Sequence, residues 1–263
     1  MQFGMPTLIE TATLDKCAAL CKELDLRFIE LNMNLPQYQL DKIDIEYFKA
    51  VAEKYGIYYT IHLDENLNIS DFNPYVAQAY RRTVRETIEV AKKLGVPILN
   101  MHLSKGVYFT LPDKKVFLFD EYKDQYLKSI EDFCEECEKS IGDNDIKICV
   151  ENCNDFAYFQ FDALDILLKS RVFGLTFDIG HAACCQEEMY DFYINKRDNL
   201  IHMHFHDAIN KSNMWNNHLA LGDGELDLQK YLSLAKKQNC RVVLETKNIF
   251  GLRKSVDWIN SYC

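Results

Sequence analysis

No apolar run approaches the roughly 18 residues that a membrane-spanning helix needs. The opening stretch MQFGMPTLIETATLDK has neither a basic segment followed by an apolar one nor an Arg-rich amphipathic pattern. These absences exclude a helical membrane protein and lead us to expect a soluble, cytoplasmic chain. Positive charge is scarce too: 30 Lys and Arg against 40 Asp and Glu leave a formal charge of −10. Phosphate neutralisation takes clustered Lys and Arg, so a general nucleic-acid or anionic-membrane surface is disfavoured, although a single basic groove or bound cations would not show in this count. The 10 cysteines are scattered, several inside helical patterns and with no signal peptide ahead of them. Reduced thiols are therefore expected rather than a disulfide framework.

What is present reads as an ordinary globular composition, 48% hydrophobic and 27% charged over 263 residues, enough for a substantial core. Short β-branched or aromatic runs alternate with longer helical patterns. The strands expected are FGMPTLI, RFIELN, IYYTIHL, PILNMHL, IKICVEN, FGLTFDI, LIHMHFH and RVVLETK. Between them lie amphipathic stretches such as DKCAALCKEL, DIEYFKAVAEKYG, VAQAYRRTVRETIEVAKKLG and DLQKYLSLAKKQ, two of which end at Gly56 and Gly95, residues suited to a left-handed cap. Eight strand-then-helix units without a linker or low-complexity segment imply an α/β fold, a single (β/α)₈ TIM barrel occupying residues 1–263 as one domain. A doubly wound open sheet would usually show a glycine-rich phosphate loop after an early strand, and none is visible. The segment SKGVYFTLPDKKVFLFDE after the fourth strand reads as an extended, weakly structured loop over the barrel mouth.

All seven histidines, His62, His102, His181, His202, His204, His206 and His218, fall at the C-terminal end of an expected strand or in the loop after it. In a barrel those ends converge on the face where active sites are built. Glu30, Glu151, Asp178 and Glu245 end the second, fifth, sixth and eighth strands, each after apolar residues. One such acid is ordinarily a loop cap or half of an ion pair. Four on the same side, facing several imidazoles, point instead to a divalent metal site, because buried carboxylates are costly unless paired or metal-bound. His202, His204 and His206 alternate along one strand and share its inward face at different depths, so only one or two can reach the same ion. His202 is expected deepest, as a hydrogen-bonded support, and His206 nearest the mouth, meeting substrate or solvent.

Together VEN, FDIGHA, HMHFHD with HLALGDG behind it, and LETK resemble the xylose isomerase-like TIM-barrel superfamily, which includes sugar isomerases and epimerases and the endonuclease IV type of abasic-site nuclease. The resemblance spans nearly the whole chain through the order of these motifs. It implies a metal held by Glu151, Asp178, His204 and Glu245, with His204 selected because it stands three residues before Asp207, as in the family's His-x-x-acid pattern. It also implies that His181 contacts substrate, as in the epimerases, or binds a further zinc, as in the nucleases. Three carboxylates and one imidazole suit Mn²⁺, Mg²⁺, Co²⁺ or Zn²⁺, and we favour Mn²⁺ with Zn²⁺ next.

The first function this implies is isomerisation or epimerisation of a small-molecule sugar or sugar phosphate. The metal would stabilise a developing enediolate, and Glu151 and Glu245 would exchange the carbon-bound proton. The nuclease alternative draws on His62, His102 and His218, which match further zinc ligands. It is weakened because Asn216 stands where that pattern has an Asp, and because LDENLN after His62, with Asp64 and Glu65, would repel phosphate. A non-catalytic metal- or sugar-binding barrel is the third reading, and a homo-oligomer is left open. Lys247 should share the face of Glu245 and could balance a phosphate or enediolate; Lys211 is a weaker candidate. Trp215, Tyr108 and Phe109 could stack on a sugar or simply cover the barrel. Cys134 and Cys137 fall within a helical pattern and read as packing thiols, as do Cys184 and Cys185 near the mouth.

Overall fold

A computed structural model describes residues 1–212 and 214–262. Eight parallel strands form a closed barrel. They are β1 (Gln2–Pro6), β2 (Phe28–Asn32), β3 (Tyr58–His62), β4 (Ile98–His102), β5 (Lys147–Glu151), β6 (Phe173–Asp178), β7 (Leu200–Phe205) and β8 (Arg241–Leu244). They follow one another around the barrel in chain order, and β8 closes on β1 through Arg241 opposite Gln2 and Val243 opposite Gly4. Each strand leads into a helix on the outside: α1 (Leu14–Glu23), α2 (Ile45–Tyr55), α3 (Pro74–Leu94), α4 (Lys123–Ile141), α5 (Tyr158–Leu167), α6 (Gln186–Asn195), α7 (Leu228–Gln238) and α8 (Ile249–Tyr262). Among the described residues no helix is long and apolar enough to cross a membrane.

The local chemistry explains these boundaries. Asp44, Asn73 and Asp227 cap α2, α3 and α7 by accepting first-turn N–H groups, and Pro74 occupies the first position of α3, where its missing N–H costs nothing. Gly56 and Gly95 end α2 and α3 at φ 66° and 69°, the left-handed caps expected from the sequence. The apolar sides of the helices cover strands whose outward residues are also buried, which is why the strands read as nearly continuous apolar runs. At the bottom of the barrel Phe28 stacks on Tyr58, ring centroids 5.3 Å apart. Gly4 makes room for it, since a Cβ there would lie 2.5 Å from the Phe28 ring.

The strands lie within a few residues of their expected positions. The eighth stops pairing at Leu244 rather than running to Lys247, although the Glu245 N–H still reaches Phe205 O at 2.8 Å. The expected open loop after β4 is a correction: it contains a hairpin, Tyr108–Thr110 with Lys115–Phe117, followed by a short helix, Leu118–Glu121. Leu111 and Lys114 close its turn around Pro112 and Asp113, while Phe119 stacks on Tyr126 at 4.5 Å and anchors the far end. A second hairpin, Asp207–Lys211 with Met214–Leu219, follows β7 and folds back so that His218 returns toward the mouth.

Candidate metal centre

Side chains alternate along a strand, so residues two apart share the inward face at successive depths. The upper inward layer contains His62 on β3, His102 on β4, Glu151 on β5, Asp178 on β6 and His204 on β7, with Glu245 just past β8. One step deeper come Glu30 on β2, Thr60 opposite it on β3, Asn100 on β4, Thr176 on β6 and His202 on β7. Apart from His102, every residue of both layers is buried.

Glu151, Asp178, His204 and Glu245 each present an atom to one point, with all four atoms within 4.8 Å of one another. His204 Nδ1 lies 3.3 Å from Glu151 Oε1, 3.1 Å from Glu245 Oε2 and 3.8 Å from Asp178 Oδ2. The opposite oxygen of each carboxylate is held elsewhere, and the opposite nitrogen of His204 faces Glu30. Asn100 Nδ2 donates to Glu151 Oε2, and Lys247 Nζ lies 2.7 Å from Glu245 Oε1. Glu30 Oε1 sits 2.8 Å from His204 Nε2, off the ring N–H axis, and the His181 N–H donates to Asp178 Oδ1 at 2.6 Å. Three atoms aimed at the shared point, Glu151 Oε1, His204 Nδ1 and Glu245 Oε2, have no hydrogen-bond partner among the described residues although they are buried. Three buried carboxylates converging beside an imidazole are a donor set that a divalent cation fits, and without one the acids would repel each other.

The electrostatics follow from the same geometry. Burial works to raise the Glu151 and Glu245 pKa values, but His204 together with His102 at Glu151 and with Lys247 at Glu245 outweighs it, and both are held well below the ordinary range. Burial likewise opposes charge on His204, yet Glu151, Glu30 and Glu245 push its pKa well above the usual imidazole value. Glu30 is lowered because His204 and His202 overcome its desolvation. His62 and His181 are raised to about 9 against the effect of burial, His62 by Glu151 and His181 by Asp178 and Glu151. His202 falls to about 4 through burial, and His218 also to about 4 through burial and the adjacent His206.

The remaining sequence-identified residues distribute around this cage. His62 and His102 each place Nε2 3.4 Å from Glu151 Oε2. His181 and His218 face each other with their Nε2 atoms 3.3 Å apart. His202 is deep, as expected, with Nδ1 3.2 Å from Thr176 Oγ1. Glu30 lies below the cage and is only 2% exposed. His206 is a correction. It was expected to meet substrate or solvent, yet it is fully buried because the second hairpin folds over it: its Nδ1 accepts the His218 N–H at 2.8 Å and its Nε2 lies 3.0 Å from Asp178 Oδ1. Gly180 leaves space for that ring, since a Cβ there would fall 2.0 Å from it. Lys247 is where the sequence placed it, whereas Lys211, Tyr108 and Phe109 are exposed on the hairpins and Trp215 packs half-buried against the core. Cys134 and Cys137 are buried on α4, and Cys184 and Cys185 lie with their Sγ atoms 3.9 Å apart beside the mouth.

Sequence reasoning missed the supports. Asn100 and Thr176 stand two residues before His102 and Asp178, so period-two reading places them on the same inward face, one layer down. Asn152 gave no periodic signal: its amide brackets Asp178, accepting from Asp178 N–H and donating to Asp178 O, both at 2.9 Å, and is held by the Tyr193 hydroxyl. Two cavities flank the cage. One, about 320 Å³, is bordered by His102, Glu151, Lys105 and Asp155, and the other, about 130 Å³, by Glu245, Lys247, Thr7 and Asn32. Both of their lysines are already paired with acids, Lys105 with Asp155 at 2.8 Å and Lys247 with Glu245.

Residues 18–262 match the family described as xylose isomerase-like TIM barrel. In sequence the chain is similar to the uncharacterized protein MJ1614 of Methanocaldococcus jannaschii, 25% identical over 212 residues that cover 79% of this chain and 75% of that protein. In structure it is similar to a D-tagatose 3-epimerase-like protein, with a TM-score of 0.80, 24% identity, and coverage of 100% of this chain and 97% of the other. It is also similar to the IolI protein with a bound zinc atom, with a TM-score of 0.74, 14% identity, and coverage of 99% and 96%.

Proposed function

Because the chain belongs to the xylose isomerase-like TIM-barrel family, we propose that it is a single-domain, metal-dependent isomerase or epimerase of a sugar or sugar phosphate. The carrying observation is the cage itself, in which two glutamates from separate strands converge with Asp178 and His204 on one point, the glutamates and the imidazole through unpartnered atoms. Mn²⁺ or Zn²⁺ is the ion proposed; the zinc atom in the IolI structure supports the second. Bound there, a divalent ion would supply Lewis-acid polarisation of neighbouring oxygens on a hydroxyketone.

The chain's own groups would do the rest. Glu245, at 10% side-chain exposure, is the more open of the two glutamates, against 1% for Glu151. Glu245 would take the proton from the carbon next to the carbonyl, forming an enediolate and becoming the acid. Glu151, once protonated from solvent, would give its own proton to the other face, and Glu245 would then release its proton to solvent. Asn100 and Lys247 hold one oxygen of each glutamate, and so fix the direction of the other. Acid–base catalysis of this kind is typically worth about 10²–10⁴-fold.

A nuclease or phosphoesterase is the second reading, favoured by His62 and His102 beside Glu151 Oε2, which with it form another group able to hold an ion. Against it, Asn216 is exposed at the position where the resemblance calls for an acid ligand, and an acidic residue, Glu65, lines the larger cavity. The deciding experiment incubates the metal-supplemented protein with a panel of ketoses, aldoses and their phosphates in deuterated water. Carbon-bound deuterium in a sugar, lost on chelation and in Glu151→Gln or Glu245→Gln, supports the isomerase reading. Cleavage of abasic duplex DNA without any sugar exchange replaces it with the nuclease reading.

A further inference from the structure

We propose that Glu30 is a positioning residue that turns His204 so that Nδ1, not Nε2, is the atom offered to the metal. The inference rests on the metal cage described above. Glu30 stands on β2 and His204 on β7, with β1 and β8 between them around the barrel, so the carboxylate reaches across the interior to the imidazole. Its two oxygens have separate tasks. Thr60 Oγ1 donates to Oε2 at 3.0 Å, which leaves Oε1 beside His204 Nε2 at 2.8 Å.

A neutral imidazole has one N–H and one lone pair. The Glu30 charge 2.8 Å from Nε2, though off the ring N–H axis, favours the hydrogen on that nitrogen and so leaves the lone pair on Nδ1, which faces Glu151 Oε1 and Glu245 Oε2. Carboxylates commonly orient metal-binding histidines in this way. The layer around Glu30 strengthens the argument, because the inner layers of such barrels are usually filled by branched apolar side chains. Here the layer is polar and continuous: His202 Nδ1 lies 3.2 Å from Thr176 Oγ1, Thr176 donates to Asn100 Oδ1 at 2.6 Å, and Asn100 donates to Glu151. A fully enclosed acid and amide are costly in a barrel floor; here the acid faces His204 and the amide donates to Glu151, one ligand each.

The test compares wild type, Glu30→Gln and Thr60→Val. Zn²⁺ and Mn²⁺ affinities are measured by competition with a chromophoric chelator, and ¹⁵N-histidine spectra of the Zn²⁺-loaded proteins report which ring nitrogen of His204 carries the metal. An amide can present N–H as readily as oxygen, so Glu30→Gln no longer fixes the ring. We expect it to lose about 10–100-fold in metal affinity and to show the Nδ1-bound signal replaced or split, with melting of the metal-free protein little changed. Thr60→Val should move both readouts in the same direction by less. If wild type binds no divalent ion, the cage and this inference both fall. If wild type binds and Glu30→Gln matches it in affinity and ring signal, only the role of Glu30 is overturned. Should Glu30→Gln fail to fold, Thr60→Val decides, and wild-type affinity and spectrum there overturn the inference.

Discussion

Replacing Asp207 with Asn should loosen the mouth of the barrel by an amount the structure allows to be worked out. The Asp207 carboxylate is 1% exposed and accepts four backbone N–H groups: Ala208 at 2.8 Å and Leu226 at 3.2 Å on Oδ1, Gly222 at 3.0 Å and Gly224 at 2.9 Å on Oδ2. An amide has one oxygen, so either way it turns, its NH₂ faces two of these donors. Each buried N–H left unpaired costs about 1–3 kcal/mol, and the pair about 4 kcal/mol at mid-range. For a chain of this size that corresponds to a fall in Tm of roughly 8–16 °C. The loop cannot easily adjust, because a Cβ on Gly224 would already sit 2.3 Å from Asp207 Oδ1. Thermal unfolding followed by circular dichroism measures the loss, and amide hydrogen exchange locates it at Gly222, Gly224 and Leu226. A Tm within about 1 °C of wild type, with those amides still protected, would refute this account of Asp207.

Gly180→Ala should push the His206 ring off Asp178, since the added Cβ would lie 2.0 Å from that ring; a metal titration of the folded variant should show weaker binding, and unchanged affinity would contradict the packing argument. Metal uptake should release a proton from His204, which Glu151, Glu30 and Glu245 keep protonated well above the usual imidazole range. Affinity should therefore rise with pH, and calorimetric enthalpies should differ between buffers of different ionisation enthalpy; identical enthalpies would contradict it. Glu151→Gln and Glu245→Gln should each cut solvent exchange of the substrate proton by at least about 10²-fold while leaving the far-ultraviolet dichroism unchanged. Retention of near-normal exchange by either variant would remove that glutamate from the proton-transfer step.

The barrel was legible because its signals are local. Apolar runs such as IKICV and GLTF end in acids, and the left-handed positions at Gly56 and Gly95 punctuate amphipathic helices. The upper layer of the site was legible for the same reason, since strand ends in such a barrel converge. His206 was misread because its environment is made by a hairpin 12 residues downstream, where the His218 N–H caps its ring, and nothing in HMHFHD signals that return. The two hairpins were hidden in segments that look like loops; only Pro112 and Asp113 in the first mark a turn. Asn152 and Tyr193 escaped notice because their role depends on contacts across 41 residues of chain, which no periodicity encodes.

Counting the ions held by the cage tests the central claim most directly. The protein is dialysed to equilibrium against Mn²⁺ or Zn²⁺ and its metal content measured by elemental analysis, for wild type and for an Asp178→Asn, His204→Gln double variant that remains folded. The account predicts a stoichiometric ion in wild type, removed by chelator and restored by metal, and none retained by the double variant. A double variant that keeps as much metal as wild type would place the ion elsewhere and contradict the account.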